Sequence, residues 1–229
     1  MAEFKVNKLE GMQYVEIHLD DETVRAEAGA LNYFAGNITV YSRVLPSLSS
    51  VIKSLLADEA IYRPTYTGTG LITLECSLGG YHILELEGQT WILDRGTYWA
   101  SEGAIDVSFH REQVLTSLLA GEGLLYLQTR VRGSGKVVLT TRGPVKQIEL
   151  KDGESMLAEG HSVIARTSNV TFTMRRPTKN LLGFLTSGEG WLRAFQGPGT
   201  LLINPRPYWR YWVLVERRGE VDLPSRATF

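Results

Sequence analysis

The chain has 229 residues, 43% of them apolar and 21% charged, and carries a net charge of −1. That balance suits a soluble globular protein with a substantial core, and it excludes a strong whole-chain attraction to nucleic acid. A single cysteine, Cys76, excludes an intrachain disulfide and a cysteine-based metal site, and no apolar run approaches the ~20 residues of a membrane helix.

The N-terminal MAEFKVNKLEGMQYVEI has no apolar core of signal-peptide length, so a cytoplasmic location is expected. A half unit over 11–43 follows. In it Leu19 lies ten residues before Gly29, and Ile38-Thr39-Val40 reads as a β-branched strand. Residues 46–57, PSLSSVIKSLLA, give the strongest helical pattern, with Leu48, Val51, Ile52, Leu55 and Leu56 on one face and Pro46-Ser47 at the entry. This stripe is expected to pack on the protein body. Peripheral membrane contact is the alternative, but Lys53 is its only basic residue, too little for electrostatic attraction.

A full unit over 55–111 opens with Leu56-Ala57-Asp58-Glu59-Ala60. Gly68-Thr69-Gly70 then reads as a turn launching a strand, and Gly79-Gly80 as a hairpin turn. Leu84 and Leu86 form the core face of the returning strand. Cys76, in the run Leu71 to Leu78, is expected to be a buried, inert thiol. Leu86 precedes Gly96 by ten residues, Ile105-Asp106-Val107 completes the unit, and a second helical turn reads over 111–119.

The unit over 118–176 repeats the order: Glu122, Gly133-Ser134-Gly135, Gly143-Pro144, Ile148 with Leu150, Gly160, then Val170-Thr171-Phe172. A half unit over 185–217 has Glu189, Gly197-Pro198-Gly199, Pro205-Arg206-Pro207, and Trp212 with Leu214. Elements recurring in order at nearly constant spacing mark an internal repeat. The first half unit could complete the last, which would remove exposed sheet edges. The chain is therefore expected to be a single all-β domain over 1–229, built from strand–hairpin–strand units.

Three segments resemble the altered-inheritance-of-mitochondria protein twenty-four family over roughly residues 11–217: ADEAIYRPTYTGTG after the helix-like insert, GEGLLYLQTRVRGSGKV, and SGEGWLRAFQGPGTLLINPRP. The resemblance implies a double-stranded β-helix or jelly-roll-like sandwich in the superfamily of the tryptophan RNA-binding attenuator protein. It also implies homotrimeric assembly and, for mitochondrial members, a link to inner-membrane organisation. No catalytic or ligand residue is carried across. Where relatives continue Gln-Thr-Arg-Asn-Pro, this chain reads Ile203-Asn204-Pro205-Arg206-Pro207, so no role for that polar run is transferred.

Gly133-Ser134-Gly135-Lys136 imitates the end of a phosphate-binding loop but lacks its other parts. That motif needs a glycine where Arg130 stands, a hydroxyl where Val137 stands, and a helix where the strand-like VVLTT begins. His18, His82, His110 and His161 contain no His-x-His pair. His82 with Glu85 and Glu87 only faintly echoes a cupin-type ligand set, so no metal or other cofactor is expected. Glu59, Glu122 and Glu189 recur at equivalent places, which a repeated structural task in a tight turn explains better than a shared cation site.

Tyr208-Trp209-Arg210-Tyr211 is the densest aromatic and basic cluster. Strand alternation separates Tyr208 and Arg210 from Trp209 and Tyr211, which favours an interface or core role over a single-stranded RNA platform. Arg130, Arg132 and Arg142 form a smaller patch read as solvated charge. The expectation is a non-enzymatic homo-oligomeric scaffold or interaction module, trimeric, facing an unidentified protein or a membrane surface. RNA is the runner-up partner, and a cupin-like metal-dependent enzyme stands third.

Overall fold

The computed structural model describes residues 2–42, 63–111, 127–159, 162–175 and 192–205. Within them the chain is all β-strand and connection, with no helix. The predicted helix over 46–57 lies outside the described residues, as does 112–119 of the second helical turn; Arg111 ends a strand.

β1 (Glu3–Leu9) and β2 (Met12–Ala26) form a hairpin in which Leu9 pairs with Met12 across Glu10-Gly11. Both loop residues have positive φ, 48° and 83°, which gives the turn a twist matching its strands. β3 (Leu31–Tyr41), β4 (Thr65–Leu74), β5 (Tyr81–Leu93), β6 (Tyr98–Glu102), β7 (Asp106–Arg111) and β8 (Leu127–Thr140) follow. β9 (Lys146–Leu150), β10 (Ser155–Glu159), β11 (Val163–Thr167), β12 (Thr171–Arg175), β13 (Leu192–Gln196) and β14 (Gly199–Ile203) complete the described strands.

Eleven strands make one antiparallel sheet, in the order β3-β4-β2-β6-β8-β5-β11-β14-β9, with β1 added on β2 and β7 on β8. A second sheet has the order β10-β13-β12. The architecture is all-β and sandwich-like, in line with the fold class read from the sequence. The path of the large sheet ends on β3 at one side and β9 at the other. Among the described residues, no strand joins those two ends.

Neither of the two strand–hairpin–strand units whose strands are described forms. β4 pairs with β2 and β3, whereas β5, next in the chain, pairs with β8 and β11; β9 pairs with β14 and not with β8. The connections at Gly79-Gly80 and Gly143-Pro144 pack against each other instead, and the third hairpin reading, at Pro205-Arg206-Pro207, runs outside the described residues. The amide of Thr141 donates to the Gly80 carbonyl at 2.9 Å, and the Thr141 hydroxyl donates to the Gly79 carbonyl at 3.2 Å. Satisfying the loop backbone across two connections removes the need for a local hairpin.

The pairing that does form follows the sequence landmarks one step further along the chain. Leu19 pairs with Gly70, Leu86 with Gly135, and Leu150 with Gly199. Each leucine is buried, and each belongs to a different one of three apolar clusters. The first gathers Val15, Ile17, Val24, Tyr66 and Ile72; the second Leu93, Tyr98, Val131 and Leu139; the third Val170, Phe195 and Leu201. Three backbone bonds lie beyond these pairs: Glu75 N to Ala30 O at 2.9 Å, Thr140 N to Thr97 O at 2.8 Å, and Asn204 N to Ser162 O at 2.7 Å.

The Gly-x-Gly pairs are not turns. Gly68 and Gly70 lie inside β4, and Gly133 and Gly135 inside β8. Gly199 begins β14, with Gly197 just before it across the cis Gly197–Pro198 bond. The reason is close approach rather than chain reversal. At Gly68, with φ of 139°, a Cβ would overlap the carbonyl oxygen of Asn37 on the neighbouring β3. At Gly135, with φ of 138°, it would overlap the Glu102 carboxylate.

Candidate functional site

Tyr208, Trp209, Arg210 and Tyr211 lie outside the described residues, and so do Glu59, Glu122 and Glu189. The described chain offers instead one open surface and a set of buried charges.

The open surface is β3. It reads LNYFAGNITVY, without a charge or a proline, and among the described strands it pairs on one side only, with β4. Phe34 lies opposite Ile72, Ile38 opposite Gly68, and Val40 opposite Tyr66. Paired residues share a face, so Phe34 and Val40 extend the layer that buries Ile72 and Tyr66. Yet Phe34 remains 40% exposed and Val40 43%, while Tyr33 and Tyr41 on the other face are 50% and 65% exposed. Lysine, proline and short length are the usual protections of a sheet edge, and β3 has none of them. No sequence pattern warns of this, because periodicity marks a strand but not its place in the sheet.

The buried charges tie elements together. Arg193 on β13 donates to the carboxylate of Asp94, just after β5, at 3.2 Å, with both side chains almost wholly buried. The bond joins the second sheet to the first. Arg166 donates to the Val170 carbonyl at 2.7 Å, and its guanidinium lies 5.9 Å from the Phe172 ring. Burial pushes the Arg166 pKa down to about 10, against the favourable field of Asp94. Arg63 pairs with Glu27 at 2.6 Å and sits 4.1 Å over the Tyr98 ring. Burial pushes the Tyr98 phenol up to about 12, although its hydroxyl lies 2.8 Å from Ser101 Oγ.

Glu102, at the end of β6, is buried beneath Gly135. Its carboxylate accepts the Lys136 amide, and its Oε1 has no hydrogen-bond partner. Burial raises its pKa, with the Lys136 charge opposing. The folded chain therefore holds this proton more tightly than the unfolded chain. The stability it contributes is complete below the unfolded carboxylate range and is lost as pH rises through the folded value. Glu102→Gln is expected to raise Tm at pH 7 and to leave it unchanged near pH 4. Thermal melts at both pH values check this, and a lower Tm at pH 7 would contradict it.

His82 is half-buried on β5, and burial lowers its pKa. Glu85 and Glu87 are exposed, an odd number of positions along the same strand, so they project from the opposite face. Among the described residues no three His, Cys, Asp or Glu side chains are grouped to hold a metal. Arg130 donates to Ser108 Oγ at 3.0 Å, so it is not simply solvated charge. Arg132 and Arg142 are exposed, and Arg142 too has a partner. Cys76 is exposed, contrary to the buried thiol expected. β4 ends at Leu74, and Ser77 then anchors the loop to Gln13 through two backbone bonds, at 2.7 and 3.0 Å. That leaves Cys76 on the outside of the loop.

An all-β, sandwich-like protein with an open apolar edge is the class that these features define. A solved structure of a Streptococcus pyogenes protein, determined in a structural genomics programme, shares this fold with a TM-score of 0.72 and 20% identity, covering 95% of this chain and 100% of that one. Residues 4–206 match the family model described as mitochondrial biogenesis AIM24, and the chain belongs to that family. An uncharacterized protein of Streptococcus pyogenes serotype M6 is 25% identical over 209 residues, which cover 84% of this chain and 82% of that protein. No helix among the described residues is long and apolar enough to cross a membrane.

Proposed function

We propose that the protein is a non-enzymatic, homo-oligomeric scaffold or interaction module whose copies associate as a trimer and present a surface to a protein or a membrane. The observation that supports this is β3, an eleven-residue edge strand whose core-side row of Phe34 and Val40 stays half-exposed. A second copy laid along this edge would pair the backbone groups that no described strand pairs and bury the apolar layer left exposed there. The matching landmarks Leu19–Gly70, Leu86–Gly135 and Leu150–Gly199 support the reading of the body as a repeat array, a rigid platform for such an edge.

Sedimentation velocity of the full chain tests this reading. A trimer is expected, and a strict monomer over the micromolar range would overturn it. Phe34→Lys with Val40→Lys places two charges on the edge layer and is expected to weaken association at least about tenfold, while the monomer's Tm changes little. If the paired lysines leave the sedimentation profile unchanged, the edge is not the contact.

A further inference from the structure

A cleft of about 70 Å³ lies between the β5–β6 turn and the exit of β8, lined by Asp94, Arg95, Thr97, Thr140, Arg142 and Asn204. Its first wall is the turn Asp94-Arg95-Gly96-Thr97. The Thr97 amide closes it onto the Asp94 carbonyl at 3.1 Å, with Gly96 at φ of 72° in the third position, as a type II turn requires. The second wall is fixed to the first by the Thr140 amide, which donates to Thr97 O at 2.8 Å. The cleft is therefore framed by backbone bonds and does not depend on a flexible loop closing over it.

The floor is already committed. Asn204 is buried, its Oδ1 accepts the Arg142 amide at 3.3 Å, and its Nδ2 donates to Gly143 O and Pro144 O at 3.3 and 3.0 Å. The walls are not. Among the described residues, the Arg95 guanidinium and the hydroxyls of Thr97 and Thr140 have no hydrogen-bond partner within the chain. Arg142, which has an interaction of its own, also lines the cleft. Among the described residues Asp94 is the one carboxylate that lines it, and it accepts a bond from Arg193 at 3.2 Å. Arg166 and Arg193 line the adjoining void with Asp94.

We infer that this cleft binds a phosphate-sized oxyanion. The Arg95 fork takes two oxygens side by side, and the Thr97 and Thr140 hydroxyls donate to the others. The enclosed volume is enough for one tetrahedral group. The same phosphoryl chemistry is offered by free phosphate and by a phosphomonoester lipid headgroup. The inference does not depend on self-association, because the cleft is built from one chain.

The test uses the full chain, with inorganic phosphate as one probe and phosphatidylcholine vesicles with and without phosphatidic acid as the other. Saturable calorimetric binding of phosphate is expected, weakened at least about tenfold by Arg95→Ala and partly restored by Arg95→Lys. Thr97→Val is expected to weaken it further. Co-sedimentation with the phosphatidic acid vesicles alone, abolished by Arg95→Ala, would support the same cleft with a headgroup as its source. If neither probe binds, or if Arg95→Ala binds as well as the parent, the inference is overturned. Arg95 is exposed, so melts without phosphate should show all the Arg95 variants equally folded.

Discussion

Replacing Gly68 with alanine is expected to lower Tm by roughly 6–12 °C, about 3 kcal/mol or more. Two costs combine at this position. The backbone sits at φ of 139°, where a side chain is strained, and the added Cβ would overlap the carbonyl oxygen of Asn37. That oxygen belongs to the backbone of β3 and cannot rotate away, so β3 and β4 must separate. Gly88 provides the control. It also has positive φ, 89°, but a Cβ there meets nothing within 4 Å. Gly88→Ala is expected to show the conformational cost alone, about 1–2 kcal/mol. Equal losses at the two sites would remove close approach as the reason for the glycine in β4.

Asp94→Asn is the second large effect, expected at about 3–5 kcal/mol, because it removes the carboxylate that lies 3.2 Å from the buried Arg193 guanidinium. The loss is one of pairing rather than of charge as such. Arg193→Met alone should also destabilise, by taking the bonded cation away from the buried carboxylate. The double variant should lose at least about 1 kcal/mol less than the two single losses combined. A double-mutant cycle from urea denaturation measures this. Full additivity would mean that the 3.2 Å contact does not couple the second sheet to the first.

Much of the fold was legible because strands advertise themselves locally. The alternation around Leu84 and Leu86, the β-branched run at Ile38 and the scarcity of helical spacing all mark β-structure without reference to distant residues. The recurrence of leucine and Gly-x-Gly also located real landmarks, since each leucine pairs with the second glycine of the next pair. What they do there was not legible. A glycine that opens a turn and a glycine that admits a neighbouring carbonyl look identical in sequence, and only the partner strand separates the two. The assumption of hairpins failed for the same reason: sequence proximity suggested pairing where cross-connection bonds had already satisfied the loops. Cys76 was misjudged from the apolar residues around it, because β4 stops at Leu74, short of the end of that run.

The candidate surfaces were less visible still. β3 reads as an ordinary strand, and its importance lies in being last among the described strands of the sheet, a property of topology alone. Arg95, Thr97 and Thr140 are unremarkable in the chain and meet only because the Thr140 amide reaches the Thr97 carbonyl. Asp94 and Arg193 are ninety-nine positions apart. No short motif can report contacts of that range.

The leucine–glycine register sets a timetable for biosynthesis. Each buried leucine strand waits for a partner about fifty residues downstream, as from Leu19 to Gly70 and from Leu86 to Gly135. At ribosomal speeds of about 5–20 residues per second, that leaves Leu19, and the β4 side of Ile17, unpaired for several seconds after they emerge. The β1–β2 hairpin, closed through Glu10-Gly11, is the local structure able to cover part of that row in the interval. The interval between the emergence of β2 and the docking of β4 is thus the one in which this chain is most exposed to aggregation, and chaperone capture should peak on nascent chains of that length rather than on the finished protein.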